Sequence, residues 1–225
     1  MDRLGRARAL ARELRGAAGL VKVGNQLFTT EGPRVVKMLA GHGFGIFLDL
    51  KFHDIPNTVA RAAAAAAELP KVRLLTLHTL GGVAMMRAAS AAVGKRRNRP
   101  ALLGVTLLTS MDDAALRGVG MTGSPSEIVL ALARLAQEAG LDGVVASGQE
   151  ARAIRAHCGP KFLIVTPGVR LPGASVDDQS RVTTPSEAFQ AGADYIVVGR
   201  AITEAQDPRA AALRIAREIA SLQRP

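Results

Sequence analysis

The residues best suited to proton chemistry lie in one stretch, Phe47-Leu-Asp-Leu-Lys-Phe-His-Asp-Ile-Pro-Asn-Thr58. Asp49 and Lys51 are two residues apart, so on an extended strand they point to the same side. Asp54 follows just past the expected strand end, and Pro56 opens the next helix with a residue suited to a first turn. Lys22 closes the preceding apolar run and can reach the same mouth. Two cations and two carboxylates thereby form an alternating array, whose negative charge favours the protonated form of Lys51. A lysine held in this way can stabilise a developing negative charge and then deliver a proton to it. The plainer reading of the same residues is an ion-pair network at a strand end, because buried charges are usually paired. His53, between them, reads as a packing or hydrogen-bonding residue rather than a base.

A second group is suited to a phosphate. Thr166-Pro-Gly-Val-Arg170 ends one apolar run, Asp178-Gln179 follows in a loop, and Val198-Gly199-Arg200 ends the last run. Glycine lets a backbone N–H approach an anion closely, and arginine offers a planar fork to phosphate oxygens. Either piece alone could be a glycine turn beside a surface arginine. Together they match the phosphate site that barrels build after their seventh and eighth strands.

Short apolar runs must position these groups: Leu20–Val23, Ile46–Leu50, Leu74–His78, Leu102–Leu108, Gly143–Ala146, Phe162–Thr166 and Tyr195–Val198. Amphipathic stretches lie between them, including Glu31–Gly41, Thr58–Leu69, Ser126–Ala139, Glu150–His157 and Pro208–Leu222. Ser126 and Ser186 are expected as helix N-caps, and Gly41, Gly140 and Gly192 as helix ends. Strands alternating with helices predict βαβ units, a parallel sheet and right-handed crossovers. No composition break divides residues 1–225, which read as one domain. The polar residues at the carboxyl ends of the runs lie on the face where a (β/α)8 TIM barrel builds its active site. Seven runs leave such a barrel one strand short. Met1 to Arg15 reads as helix from the start, so the strand expected to be lacking is the first.

The bulk properties narrow the function without deciding it. The net charge of +10 permits a nucleic-acid partner or an anionic substrate, but the arginines are scattered, and only Lys95-Arg96-Arg97 forms a run. Aromatic residues make up 3% with no Trp, which argues against stacking platforms for single strands. One cysteine, Cys158, excludes an intrachain disulfide and a multi-cysteine metal site, and it reads as a helix-packing thiol. No signal peptide and no apolar run of membrane-spanning length is evident, so a cytoplasmic protein is expected, with neither membrane nor nucleic acid as partner.

The pieces Lys22-Val-Gly, Asp49-Leu-Lys-Phe-His-Asp-Ile-Pro-Asn-Thr58, Leu108-Thr-Ser110, Thr166-Pro-Gly-Val-Arg170, Asp178-Gln179 and Val198-Gly-Arg200 occur in the order found in bacterial orotidine 5′-phosphate decarboxylases. The chain resembles that family from about Gly19 to its end. The resemblance implies conversion of orotidine 5′-monophosphate to uridine 5′-monophosphate without cofactor or metal. It makes Lys51 the proton donor and places Lys22, Asp49 and Asp54 in the charged network. Asp54, Ile55 and Thr58 would cross a homodimer interface into the partner's site. Thr109 and Ser110 would contact the pyrimidine, and Arg170, Gln179, Gly199 and Arg200 would hold the 5′-phosphate.

One departure from the family pattern stands out. Family members begin with a strand carrying an aspartate that contacts the ribose, and its place falls just upstream of Met1. Asp2 opens a helix and is a poor substitute. The start as given is therefore expected to lie downstream of that strand, and the chain as written to decarboxylate weakly or not at all. The rival readings are a magnesium-dependent 3-hexulose-6-phosphate synthase-like aldolase, which shares Asp-x-Lys-x-x-Asp, and a truncated inactive paralogue. The run His53-Asp-Ile-Pro-Asn-Thr58 favours the decarboxylase.

Overall fold

A computed structural model of the chain describes residues 4–94, 98–169 and 183–222. Helix α1 (Leu4–Glu13) precedes strand β1 (Leu20–Gly24), followed by α2 (Asn25–Glu31) and α3 (Pro33–Gly41). Strand β2 (Gly45–Phe52), α4 (Pro56–Ala67), β3 (Val72–His78), a 3-10 turn (Thr79–Gly81) and α5 (Gly82–Val93) come next. The middle holds β4 (Ala101–Val105), α6 (Asp113–Gly118), α7 (Pro125–Glu138), β5 (Gly143–Val145), α8 (Gly148–Cys158) and β6 (Leu163–Thr166). The last elements are α9 (Pro185–Gln190), β7 (Tyr195–Ile196), α10 (Arg200–Thr203) and α11 (Pro208–Ala220). All the strands join one curled parallel sheet in the order β1 to β7.

Both faces of the sheet are apolar, which explains why the strands read as continuous runs rather than alternating ones. Phe47, Leu74, Leu103, Val105, Val145 and Val165 point inward and form one buried layer. Their neighbours Ile46, Leu48, Leu75, Leu77, Leu102 and Ile164 point outward into the helices. By the same alternation Lys22, Asp49, Thr76 and His78 belong to the inward set.

The amino ends of the strands are tied down by two carboxylates in similar settings, Ala139-Gly-Leu-Asp142 and Ala191-Gly-Ala-Asp194. Asp142 accepts from Leu102 N at 2.7 Å and takes both terminal nitrogens of Arg99 at 2.6 Å. Asp194 accepts from Ile164 N at 2.9 Å and from Arg155 at 2.6 Å, while Arg155 also reaches the carbonyls of Gly159, Phe162 and Gly192. Each aspartate thus satisfies an N–H that begins the neighbouring strand. These clamps lie at the opposite end of the sheet from the reactive side chains, where barrels place stability rather than catalysis.

Several boundaries differ from the expectations. The helix expected over Glu31–Gly41 is α3 and begins two residues later, because Gly32 has a φ of 58° and closes the separate helix α2 at Glu31, while Pro33 takes a first helical position. The N-caps are Ser124 and Thr184, not Ser126 and Ser186. Each is followed by a proline and by a glutamate that closes a reciprocal capping box, Glu127 and Glu187. Ser186 instead donates to Glu218 of α11. Strand β4 stops at Val105, short of the expected Leu108, and Thr106 turns its hydroxyl to the carbonyl of Val145 at 2.9 Å. Strand β7 ends at Ile196, although Val197 N still reaches the Thr166 carbonyl at 2.8 Å.

Among the described residues no strand bridges β1 and β7. Between them lies a cleft of about 690 Å³, lined on its strand edges by Leu20, Lys22, Tyr195 and Val197 and floored by α1 and α11. Helix α1 is anchored beside it through Leu4 N, which donates to the buried Glu31 carboxylate at 3.0 Å. Arg209 of α11 holds the end of the same helix through the carbonyl of Arg15.

Candidate active site

The reactive cluster forms where β2 departs from regular pairing. Leu48 pairs with Leu75, but the next partners are Phe52 and Leu77, so β2 takes four residue steps where β3 takes two. The extra residues arch out as a bulge, a device that re-aims side chains at sheet ends. Lys51 sits on this arch with a φ of 51°.

Asp49 is the centre of the cluster and is 7% exposed. Lys51 Nζ donates to both of its carboxylate oxygens at 2.9 Å, and Lys22 Nζ lies 3.2 Å from Oδ2. The hydroxyl of Thr76 donates to Oδ1 at 3.0 Å. Burial pushes the Asp49 carboxyl up, but the charges and hydrogen bonds of Lys22 and Lys51 together outweigh it and hold the group below its ordinary value. The carboxylate is therefore charged at neutral pH and fixes two ammonium groups at one spot on the inner rim.

His78, at the end of β3, stacks on His53 with ring centroids 5.4 Å apart. Its Nδ1 accepts from Leu80 N at 3.4 Å, which closes the 3-10 turn. Burial, then the charges of His53 and Lys51, lower its pKa from 6.5 to about 4. A folded value below the unfolded one means that the unfolded chain takes up the proton first. The stability His78 contributes is complete above about pH 6.5 and is lost as pH falls toward about 4. Melting temperature is accordingly expected to fall across that window, and the fall to be shallower in His78→Gln. Melting curves that fall equally in both proteins would remove His78 as the cause.

The other residues expected at the site divide into four groups. Asp54 lies outside the Lys22–Asp49–Lys51 cluster: it is exposed, and its Oδ1 accepts from Ile55 N at 2.6 Å. Ile55 is 66% exposed, and Thr58 is exposed in the first turn of α4, so the three make one outward-facing strip. Thr109 is buried in the loop after β4 and Ser110 beside it is exposed. Gly199 and Arg200 are exposed where β7 leads into α10. Arg170, Asp178 and Gln179 lie outside the described residues, as does the run Lys95-Arg96-Arg97.

The sequence reading passed over Thr76. It stands within the apolar run Leu74-Leu-Thr-Leu-His78, where a threonine looks like an ordinary strand former. Its one detectable signal is parity with Leu74 and His78 on the inward side. Among the described residues, no group of three or more His, Cys, Asp or Glu is placed to hold a metal ion.

A consecutively ordered parallel β/α sheet with a lysine–aspartate–lysine cluster at its carboxyl rim defines a TIM-like fold with its charged groups gathered where such folds build active sites. Comparison with known proteins narrows that class. The family model described as orotidine 5′-phosphate decarboxylase / HUMPS family matches residues 1–215, and the chain belongs to this family. The orotidine 5′-phosphate decarboxylase of Nitrosococcus oceani is 55% identical over 216 residues, covering 96% of this chain and 93% of that protein. That of Trichlorobacter lovleyi is 54% identical over 212 residues, 93% of this chain and 88% of the relative. The crystal structure of the Lactobacillus acidophilus orotidine 5′-phosphate decarboxylase is similar with a TM-score of 0.77 and 42% identity, over 88% of this chain and 86% of that one.

Proposed function

We propose that the chain decarboxylates orotidine 5′-monophosphate to uridine 5′-monophosphate, the last step of de novo pyrimidine nucleotide synthesis, with Lys51 protonating C6 and no cofactor taking part. The observation that carries this reading is the Lys51 ammonium, held against the buried Asp49 with Lys22 beside it, in a chain of this family. Loss of CO₂ from C6 leaves an sp² carbanion with no orbital sink, so the required barrier reduction is at the high end of enzymatic catalysis, roughly 20 kcal/mol. Repulsion between Asp49 and the departing carboxylate supplies only about 4 kcal/mol for charges ~4 Å apart at an effective dielectric of 20. Preorganised positive charge at Lys51 is the larger contribution. Binding of the remote phosphate by Arg170, Gln179, Gly199 and Arg200 adds energy that can order the charged array in the transition state. Thr109 and Ser110 face the pyrimidine.

The same reading makes the protein a homodimer in which Asp54, Ile55 and Thr58 enter the partner's site. Exposure of Ile55 supports it. The His53–His78 stack sets that turn beside the 3-10 turn, whose Leu80 is also exposed, so apolar side chains gather on one rim. Residues 1–225 act as one domain, in the cytoplasm where this pathway runs. None of the described helices is long and apolar enough to cross a membrane.

The cleft between β1 and β7 has the place and lining of an eighth parallel strand that would close a (β/α)8 barrel. Such a strand would also relieve two apolar edges that are otherwise prone to aggregation. The test is turnover of orotidylate by this chain beside one extended at its amino end with an apolar strand ending in aspartate. The extended chain is expected to turn over and to be the more soluble of the two. Failure of both to decarboxylate orotidylate would overturn the reading.

A further inference from the structure

We infer that Thr76 is a positioning residue for the reaction, its hydroxyl locking the Lys51 backbone and the Asp49 carboxylate into one unit. The inference rests on the reading of Lys51 as proton donor. A hydroxyl has one proton to give and lone pairs to receive with, and Thr76 uses both. It donates to Asp49 Oδ1 at 3.0 Å and accepts from the Lys51 backbone N–H at 2.9 Å. The side chain is fully buried, at 0% exposure, so neither bond is shared with solvent.

The backbone gives the second bond its importance. Between Leu48 and Phe52 the arch leaves the regular β2–β3 pairing, and the Lys51 N–H meets the threonine hydroxyl instead. Lys51 also has a φ of 51°, in the left-handed region that a long side chain occupies only where its surroundings hold it there. Lys71 is the other described non-glycine residue with positive φ, and it lies in the turn before β3, where such conformations are ordinary. Among the described residues Lys51 alone adopts one inside a strand. Thr76 therefore fixes both ends of the Lys51–Asp49 contact: the carboxylate that receives the ammonium and the backbone that aims it.

Replacing Thr76 by valine keeps the shape and removes the hydroxyl. A misplacement of about 1 Å at a reacting group costs on the order of 100-fold, so Thr76→Val is expected to lower kcat by roughly 10- to 100-fold with KM little changed. Thr76→Ser restores the hydroxyl and should recover most of the loss. A structure of Thr76→Val should show Lys51 leaving positive φ. Where valine prevents folding, Thr76→Cys retains a group of similar size with a weak donor and should lie between valine and serine. Unchanged kcat in folded Thr76→Val, or a loss of thermal stability with kcat and KM intact, would overturn the inference. Lys51→Ala run in parallel separates the two ideas. An inactive Lys51→Ala beside a fully active Thr76→Val rejects the clamp alone, whereas an active Lys51→Ala rejects the proton-donor reading and the clamp's function with it.

Discussion

Lys51→Ala is expected to lower kcat on orotidylate by about 10⁵-fold or more, the product of two separate losses. An ammonium ~4 Å from a developing carbanion is worth about 4 kcal/mol at an effective dielectric of 20, close to a thousandfold. Removing a positioned general acid costs a further ~10²- to 10⁴-fold. Because both terms act on the transition state, KM should change far less than kcat. Stability should change little: Asp49 keeps Lys22 at 3.2 Å and the Thr76 hydroxyl at 3.0 Å, and the lost side chain is about a third exposed. The measurement is single-turnover decarboxylation beside a thermal melt. A near-normal rate would reduce the cluster to an ion-pair network that merely closes a strand end.

Asp49→Asn is expected to give the second largest effect, a loss in kcat without a loss in binding. Asparagine can still accept from Thr76, but the charge that gathers Lys22 and Lys51 is gone and the two ammonium groups then repel. Their mutual displacement should lower kcat by roughly 10²- to 10³-fold, as misplacement of a reacting group does. Ground-state repulsion of the substrate carboxylate disappears at the same time, so substrate binding should tighten or hold rather than weaken. A fall in kcat together with a raised Kd for orotidylate would contradict this division of roles.

The pH behaviour of Asp49 follows from its lowered pKa. Its contribution to stability is present above the ordinary carboxylate range and is lost as pH falls through the depressed folded value. Asp49→Asn should therefore remove part of the acid sensitivity of the fold, at lower pH than the window set by His78.

Much of the site was legible before the fold was known, because strand parity is a local property. Two residues of separation suggested a shared side for Asp49 and Lys51, and the contact is there at 2.9 Å, although Lys51 makes it from the arch and not from regular strand. Pro56 marked the start of α4 correctly, since a proline at a first helical position needs no tertiary support. Lys22 reached the same carboxylate because β1 and β2 are parallel neighbours in register. Local rules also misled. Ser126 and Ser186 have the composition of N-caps, yet the proline and glutamate around Ser124 and Thr184 set the boundary two residues earlier. The helix expected from Glu31 starts at Pro33, because Gly32 closes α2 with a positive φ and proline opens the next helix.

The Lys51–Asp49 pair itself, the parallel strand order and the family likeness were thus determined by the sequence alone, through spacing of two along strands and alternation of strands with helices. Only the tertiary structure decided how that pair is held. The arch in β2, the positive φ at Lys51 and the hydroxyl of Thr76 that joins them come from pairing with β3, twenty-five residues further along the chain. No local pattern reports a slip between two strands, because each strand keeps its own period and the mismatch exists only in the contact.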